Sequence, residues 1–266
     1  MSGLSDSAVF GWAAVAVVLA QAVTALIARR LGRVSVVDVT WGLGFVLIAL
    51  VCALGGDGTG WRRLVLLGLV GFWGLRLAWH ISVKHRSHSG DDPRYAELIG
   101  KPLDQGGLAI AIRKVFLIQG LSMLLVSLPV FAGMLLPVRW PLVVALGLVV
   151  WLVGVIFEIV GDAQLAAYKR LKDRPPVLET GLWAWTRHPN YFGDACMWWG
   201  LWLIGGFASG WAPAVVTVIG PIAMTYFLAF ATGARLLEKS MMARPGYPEY
   251  AARTPMFIPR PPARIR

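Results

Sequence analysis

The sequence predicts an all-α, polytopic membrane protein: a single domain with a seven-transmembrane-helix bundle, its N-terminus outside and its C-terminus cytoplasmic. Three observations predict this class: the composition, the length of the apolar runs and the one-sided placement of the basic residues. Of the 266 residues, 57% are hydrophobic and only 15% are charged, whereas a soluble domain carries about 25% charged residues.

Seven apolar runs are long enough to cross the hydrocarbon layer, which needs about 20 residues. They cover residues 8–28, 36–55, 62–82, 112–136, 140–160, 191–208 and 211–233. The first run follows an acidic start and precedes the basic residues, which predicts a retained span rather than a signal peptide. Pro137 and Pro141 break the chain between the fourth and fifth runs. Gly68, Gly71 and Gly74 recur every three residues in the third run and predict a close packing surface between helices.

The basic residues fall on alternate sides of these runs. The loops after the first, third and fifth runs and the C-terminal tail hold 21 of the 25 Lys and Arg residues. Because basic loops stay in the cytoplasm, we expect a bacterial cytoplasmic-membrane protein whose active site faces the cytoplasm. The net charge of +11 then reflects topology, and no nucleic-acid partner is expected. Cys52 and Cys196 lie apart in apolar runs, so neither a disulfide framework nor a metal site is predicted.

Several ionisable residues lie in or at the edge of the apolar runs, among them Asp38, Arg76, His80, Glu158 and Asp162. An ionisable group at the centre of a membrane costs about 2.5–3.5 kcal/mol, so each needs a partner or a function. Asp38 fits either an interfacial helix cap or an active-site acid. Arg76 fits a counter-ion of Asp38 or Glu158, and His80 an interfacial histidine. Glu158 and Asp162 share one helix face and would repel each other without a partner between them.

The stretch "TRHPNYFGD", residues 186–194, places many polar groups at the start of the sixth run. Pro189 suits the first turn of a helix, where free N–H groups and the helix dipole favour a phosphate or a carboxylate. The stretch adds cationic, amide, phenolic and carboxylate side chains: Arg187, His188, Asn190, Tyr191 and Asp194. This combination favours a ligand site over a purely capping role.

The end of the seventh run has a similar character. Arg235, Glu238 and Lys239 lie within about one helical turn of each other. They fit either an anchor whose long side chains reach the membrane surface or the far wall of the same ligand site.

These segments resemble a known family. "EIVGDAQLAAYK", "GLWAWTRHPNYFGDACMWWG" and "GYPEYAARTPMFIP" are similar to the DUF1295 group of the steroid 5α-reductase-like integral membrane reductases, the 3-oxo-5α-steroid 4-dehydrogenase superfamily. The resemblance implies a seven-helix bundle that binds NADPH in a cytoplasm-facing pocket of the C-terminal helices. It also implies hydride transfer to a carbon–carbon double bond of a lipid that enters from the bilayer. Residues 112–266 would then be the cofactor-binding half, and residues 1–111 the substrate side.

The resemblance also implies site residues. The cofactor contacts fall on Glu158, Asp162, Lys169, Asn190, Tyr191, Asp194, Arg235, Glu238 and Lys239, to which charge adds Arg187 and His188. The candidate proton donors are Asp38, Arg76, His80 and Tyr191. The chain departs from the superfamily pattern at three positions. Trp73 stands where the superfamily has a Tyr, three residues before the arginine of span three, here Arg76. Lys239 and Ala243 stand where the superfamily has a His and a Tyr.

A second resemblance leaves an alternative open. Isoprenylcysteine carboxyl methyltransferases and bacterial phospholipid methyltransferases share "RHPxYxG", followed by a Glu-Glu pair, and use S-adenosylmethionine. Here the pair is Glu238-Lys239. Glu158, Asp162, Lys239 and the additional N-terminal spans favour the reductase. A non-enzymatic lipid-binding protein is the third hypothesis. A hydrophobic lipid from the bilayer is the expected partner, and the sequence names neither that lipid nor the oligomeric state.

Overall fold

The structure, a computed structural model, describes residues 4–86 and 90–262. All regular secondary structure within these ranges is helical, which confirms the predicted all-α class. Arg264 and Arg266, counted among the basic residues of the tail, lie outside these ranges. The backbone of Arg86 is described, but its side chain is not.

The described chain forms two compact units. Unit 1 comprises the described residues of 1–140 and 205–217, and unit 2 those of 141–204 and 218–266. In unit 1 the α-helices are α1 Asp6–Leu31, α2 Val37–Gly55, α3 Gly60–Arg86, α4 Pro93–Ile99, α5 Gly107–Ala111, α6 Leu117–Val126, α7 Leu128–Leu135 and α10 Trp211–Thr217. In unit 2 they are α8 Pro141–Arg170, α9 Pro189–Gly205, α11 Ile219–Tyr226, α12 Ala234–Met241 and α13 Tyr247–Arg253. The units do not coincide with the predicted halves 1–111 and 112–266, whose assignment to substrate and cofactor stays a prediction.

Six helical stretches of the described chain are long and apolar enough to cross a membrane. They are Asp6–Leu31, Val34–Gly55, Gly60–His85, Gly107–Val126, Pro141–Arg170 and Trp211–Met241. They match the first five predicted spans and the seventh. The predicted sixth span, residues 191–208, corresponds to α9, which is 17 residues long.

In unit 1, α2 and α3 approach each other closely at two glycines. A Cβ built on Gly74 would lie 2.6 Å from the carbonyl oxygen of Gly42, so only glycine fits there. A Cβ at Gly68 or Gly71, by contrast, meets no heavy atom of the described chain within 4 Å. The predicted three-glycine packing surface is therefore wrong at these two positions, because they do not face another helix in this unit.

In unit 2, α8 and α9 are in backbone contact along a line of glycines, which we call the glycine seam. A Cβ at Gly154 would lie 2.5 Å from the Gly193 carbonyl oxygen, and one at Gly200 would lie 2.7 Å from that of Gly147. The partners run in opposite order along the chain, so the two helices are antiparallel. Each helix repeats its glycines at seven residues, or about two turns, which keeps them on one face. Small residues of this kind let membrane helices pack at close range.

The glycine seam provides a stability test. Gly154→Ala should lower the free energy of unfolding by about 1–3 kcal/mol, because the new methyl group overlaps the Gly193 carbonyl. The matched control Gly71→Ala adds the same methyl group where space is open and should leave stability unchanged or slightly raised. Thermal unfolding of both variants in detergent measures the difference. Equal midpoints would show that the seam does not constrain α8 and α9.

Candidate functional site

The stretch at the start of α9 holds the C-terminal segment of unit 2. The Thr186 hydroxyl lies 3.1 Å from the carbonyl oxygen of Met256 and 3.0 Å from that of Phe257. The Arg187 backbone N–H donates to the Pro255 carbonyl at 2.9 Å. Two consecutive residues before α9 therefore attach the tail that follows α13.

The Arg187 side chain is engaged by protein groups. Its Nε and Nη2 donate to the two carboxylate oxygens of Glu238 at 2.7 and 2.9 Å, a bidentate pair. Its Nη1 donates to the carbonyls of Ala251 and Thr254 at 2.6 and 2.8 Å. The last carbonyls of a helix have no partner inside the helix, so Arg187 caps the end of α13 while it pairs with α12. The pair is only 12% and 13% exposed, which makes it a strong charge-assisted contact.

Two further side chains contact the carboxylate of Glu238. The Nε2 atom of His188 lies 3.0 Å from its Oε1, and the Tyr247 hydroxyl donates to the same oxygen at 3.3 Å. We call Arg187, His188, Glu238 and Tyr247 the Glu238 cluster. Burial, and then the negative charge of Glu238, raise the pKa of Tyr247. Tyr247 therefore stays protonated and remains a donor at neutral pH.

A cavity of about 630 Å³ opens beside this cluster in unit 2, within the ~300–1,000 Å³ of small-molecule sites. Its wall includes four cationic residues, Lys169, Arg174, Arg187 and Arg244. It also includes four aromatic residues, Tyr168, Trp183, Tyr247 and Tyr250. No Asp or Glu belongs to the wall as the structure describes it. The cavity therefore suits an anionic ligand that also carries flat rings.

The aromatic part of the wall is held in place by hydrogen bonds. The Trp183 indole N–H donates to the Gly161 carbonyl at 3.1 Å, and the Tyr250 hydroxyl donates to the Trp183 carbonyl at 2.6 Å. The Tyr168 hydroxyl donates to the Pro175 carbonyl at 2.5 Å. Burial raises the pKa of Tyr250, so its hydroxyl keeps the proton that makes this bond.

The charge of the wall is not cancelled by the Glu238 cluster. Glu238 lies behind Arg187 and Tyr247 and pairs with Arg187, so those two charges offset each other. Lys169, Arg174 and Arg244 remain, and all three are exposed. The Arg174 guanidinium lies 5.9 Å from the ring centre of Tyr168. Arginine forks suit phosphate oxygens, and lysine adds a point charge.

A second polar group lies on the facing sides of α8 and α9. The Asn190 amide donates to Asp162 Oδ1 at 3.2 Å. Glu158 and Asp194 are 6% and 8% exposed. A Cβ at Gly193 would lie 2.6 Å from the Glu158 backbone nitrogen, so the glycine seam brings these acids to one helix contact. The described cavity wall includes none of the four.

Unit 1 holds the other predicted acid. Asp38, in the first turn of α2, accepts a hydrogen bond of 2.5 Å from the Tyr95 hydroxyl of α4. Burial and the Asp38 charge raise the pKa of Tyr95, which stays a donor. The capping role near Asp38 belongs instead to Asp91, whose carboxylate accepts from the backbone N–H groups of Val34 and Ser35 at 2.7 and 2.9 Å.

A family model now adds to this geometry. The model of DUF1295, described as a protein of unknown function, matches residues 24–254. The chain belongs to the DUF1295 family. Comparison with curated proteins found no match, and comparison with solved structures found none.

The predicted site residues of this DUF1295 chain fall into separate places. Lys169 and Arg187 line the cavity, and Arg235 and Lys239 are exposed on α12. Tyr191 stacks on His188 with ring centres 5.5 Å apart. The donors of Arg187 and the Nε2 atom of His188 serve Glu238 and the tail, so direct cofactor contacts of these two residues remain predictions.

The other two candidate donors lie on α3 of unit 1. Arg76 is partly buried and His80 is exposed. The counter-ion role of Arg76 remains a prediction. Trp73, one turn before Arg76, is fully buried and packs edge-on against Phe45 at 5.4 Å.

Sequence reasoning missed most of the DUF1295 cavity wall. The missed residues are Tyr168, Arg174, Trp183, Arg244, Tyr247 and Tyr250. A signal was present, because an arginine next to proline occurs in both "RPP" and "RPGYP". The second of these runs into "GYPEYAARTPMFIP", one of the segments that carry the family resemblance.

Removing the carboxylate charge tests the Glu238 cluster. Glu238→Gln should lower the free energy of unfolding by about 3 kcal/mol, since Arg187 is then left mostly buried without its counter-charge. The matched control Glu249→Gln alters an exposed residue of α13 and should change stability little. Thermal unfolding in detergent compares the two variants. Equal losses would mean that the cluster does not hold α12 and α13 to the start of α9.

Proposed function

We propose that this protein is a membrane-embedded, NADPH-dependent reductase of a carbon–carbon double bond in a lipid, of steroid or sterol, isoprenoid or fatty-acyl type. The main support for this proposal is the unit 2 cavity. Its described wall has four cationic and four aromatic residues and no acidic residue. NADPH carries several phosphate charges and two flat ring systems. This wall offers complementary groups to both.

We also propose seven spans, with the N-terminus outside, the C-terminus cytoplasmic and the site facing the cytoplasm. The basic loops support this orientation. At 1.5 Å per residue, the 17 residues of α9 extend roughly 25 Å, close to the ~30 Å hydrocarbon layer. In this arrangement a charged cofactor enters from the cytoplasm and an apolar substrate from the bilayer.

Each part of the chain then has a role. Lys169, Arg174 and Arg244 bind the phosphates, and Tyr168, Trp183 and Tyr250 offer ring faces to the bases. The Glu238 cluster holds the wall in shape. Asn190 with Asp162, and Glu158 with Asp194, lie outside the described cavity wall and are the proposed partners of the ribose hydroxyls and the carboxamide where the cofactor extends beyond it.

The reaction needs a hydride at one carbon of the double bond and a proton at the other. NADPH supplies the hydride when bound, and the protein positions the partners and excludes water. The proposed proton donors are Asp38, Arg76, His80 and Tyr191.

The same observation disfavours the methyltransferase alternative. S-adenosylmethionine carries two positive groups, a sulfonium and an ammonium, and one negative carboxylate. A wall of cations without an acid therefore repels two of its charges and attracts only one. A lipid-binding protein without activity also fits an apolar chain. It does not explain, however, why hydrogen bonds hold the aromatic residues of the cavity wall in place.

Ligand-induced stabilisation tests the cofactor. NADPH should raise the unfolding midpoint of the detergent-purified protein more than S-adenosylmethionine does, because ligand binding to the native state stabilises it. Asn190→Ala should abolish this shift. Arg244→Gln should weaken NADPH binding about tenfold, the effect of one lost charge-assisted contact of ~1.5 kcal/mol. Arg260→Gln, an exposed arginine of the tail, is the matched control and should bind normally. Stabilisation by S-adenosylmethionine alone would reject the reductase, and a shift with neither ligand would favour the lipid-binding protein.

Lipid extracts test the reaction class. We expect a deletion strain to accumulate a lipid that has two hydrogens fewer than the corresponding wild-type lipid, because its double bond is no longer reduced. Mass spectrometry of the paired extracts identifies that lipid. A difference of one methylene instead would indicate methyl transfer, and complementation by Arg260→Gln but not by Arg244→Gln would link the change to the cavity.

A further inference from the structure

Unit 1 carries a groove of its own, independent of the unit 2 cavity. The groove measures about 710 Å³ and is lined by apolar residues of α1 and of the end of α2. Its largest side chains are open to the surroundings: Leu54 is 79% exposed, Leu19 60% and Trp12 59%. Because α1 and α2 are both candidate spans, this groove suits hydrocarbon chains rather than water.

One end of the groove carries two opposite charges. Asp57 follows α2, and Arg63 lies in the first turn of α3; both line the groove. The Arg63 Nη1 donates to the Gly56 carbonyl. Its Nε is buried and has no hydrogen-bond partner among the described residues. The groove is therefore apolar along its length and dipolar at its end.

The backbone around Asp57 has little freedom to move. A Cβ on Gly56 would lie 2.5 Å from the Met134 carbonyl oxygen, and one on Gly58 would lie 2.6 Å from the same atom. The Gly58 N–H also donates to that carbonyl at 2.9 Å. Both neighbours of Asp57 are thus packed against α7, which restrains the backbone that carries this carboxylate at the groove.

We propose that this groove binds a zwitterionic phospholipid with a primary ammonium headgroup, such as phosphatidylethanolamine. An acyl chain lies along the α1 and α2 wall, the phosphate meets Arg63, and the ammonium donates to Asp57. Phosphatidylcholine matches the charges, but its quaternary ammonium has no N–H to donate. Phosphatidylglycerol carries the same phosphate charge but has no cation for Asp57. The proposal does not depend on the reductase activity.

Native mass spectrometry of the full-length, delipidated protein tests this selectivity. The probes are phosphatidylethanolamine, phosphatidylcholine and phosphatidylglycerol with identical acyl chains, mixed at equal concentration. The phosphatidylethanolamine adduct should exceed each of the others about two- to fivefold, the effect of one partly exposed ion pair. Asp57→Asn should bring it down to the phosphatidylcholine level. The control Asp104→Asn, which neutralises an exposed carboxylate of the short 3-10 helix Leu103–Gln105, should preserve the preference.

Two further variants separate the headgroup from the groove itself. Arg63→Gln should reduce the adducts of all three lipids, whereas Arg113→Gln, an exposed arginine elsewhere in unit 1, should not. Ala16→Phe places a ring in the groove wall, keeps both charges and should also reduce all three adducts, so the test holds if Arg63→Gln does not fold. Equal occupancy by the three lipids, or a preference unchanged by Asp57→Asn, would overturn the proposal and leave ordinary contact with bulk lipid.

Discussion

The backbone contact between α8 and α9 is the constraint on which unit 2 depends. With Gly154 against Gly193, the start of α9 lies beside Gly161 of α8: a Cβ there would meet Pro189 at 3.1 Å. The Gly161 carbonyl in turn accepts from Trp183, and Trp183 accepts from Tyr250. The glycine line between α8 and α9 thus sets the position of the aromatic wall of the cavity.

Arg187 connects the start of α9 to the C-terminal segment of unit 2. One guanidinium joins the start of α9 to the carboxylate of Glu238 and to the last carbonyls of α13. Such a group is costly to bury alone and stabilising only with its partners in place. The polar stretch before α9 therefore acts mainly on the protein itself. The phosphate contacts are therefore proposed for Lys169, Arg174 and Arg244, the other cationic residues of the cavity wall.

The sequence predicted the all-helical class and the position of six candidate spans, because hydropathy depends only on residues that are neighbours in the chain. It did not predict pairings between distant segments. Arg187 and Glu238 are 51 residues apart, and Asp38 and Tyr95 are 57 apart. The prediction from glycine spacing was wrong for the same reason. Gly68 and Gly71 have the regular spacing of a helix-packing surface, but spacing alone does not show whether another helix faces these two residues. The cavity wall combines residues as far apart as Tyr168 and Tyr250, each of them ordinary in its own segment.

Transfer of a labelled hydride tests the central claim most directly. Membranes that contain the protein would be incubated with lipid from the deletion strain and NADPH deuterated at its transferable C4 position. We expect one lipid to gain carbon-bound deuterium together with a second hydrogen from water, and we expect Arg244→Gln to slow this gain strongly. If no lipid gains deuterium while methyl-labelled S-adenosylmethionine transfers its label to a lipid, the cavity in unit 2 is not the site of a reductase.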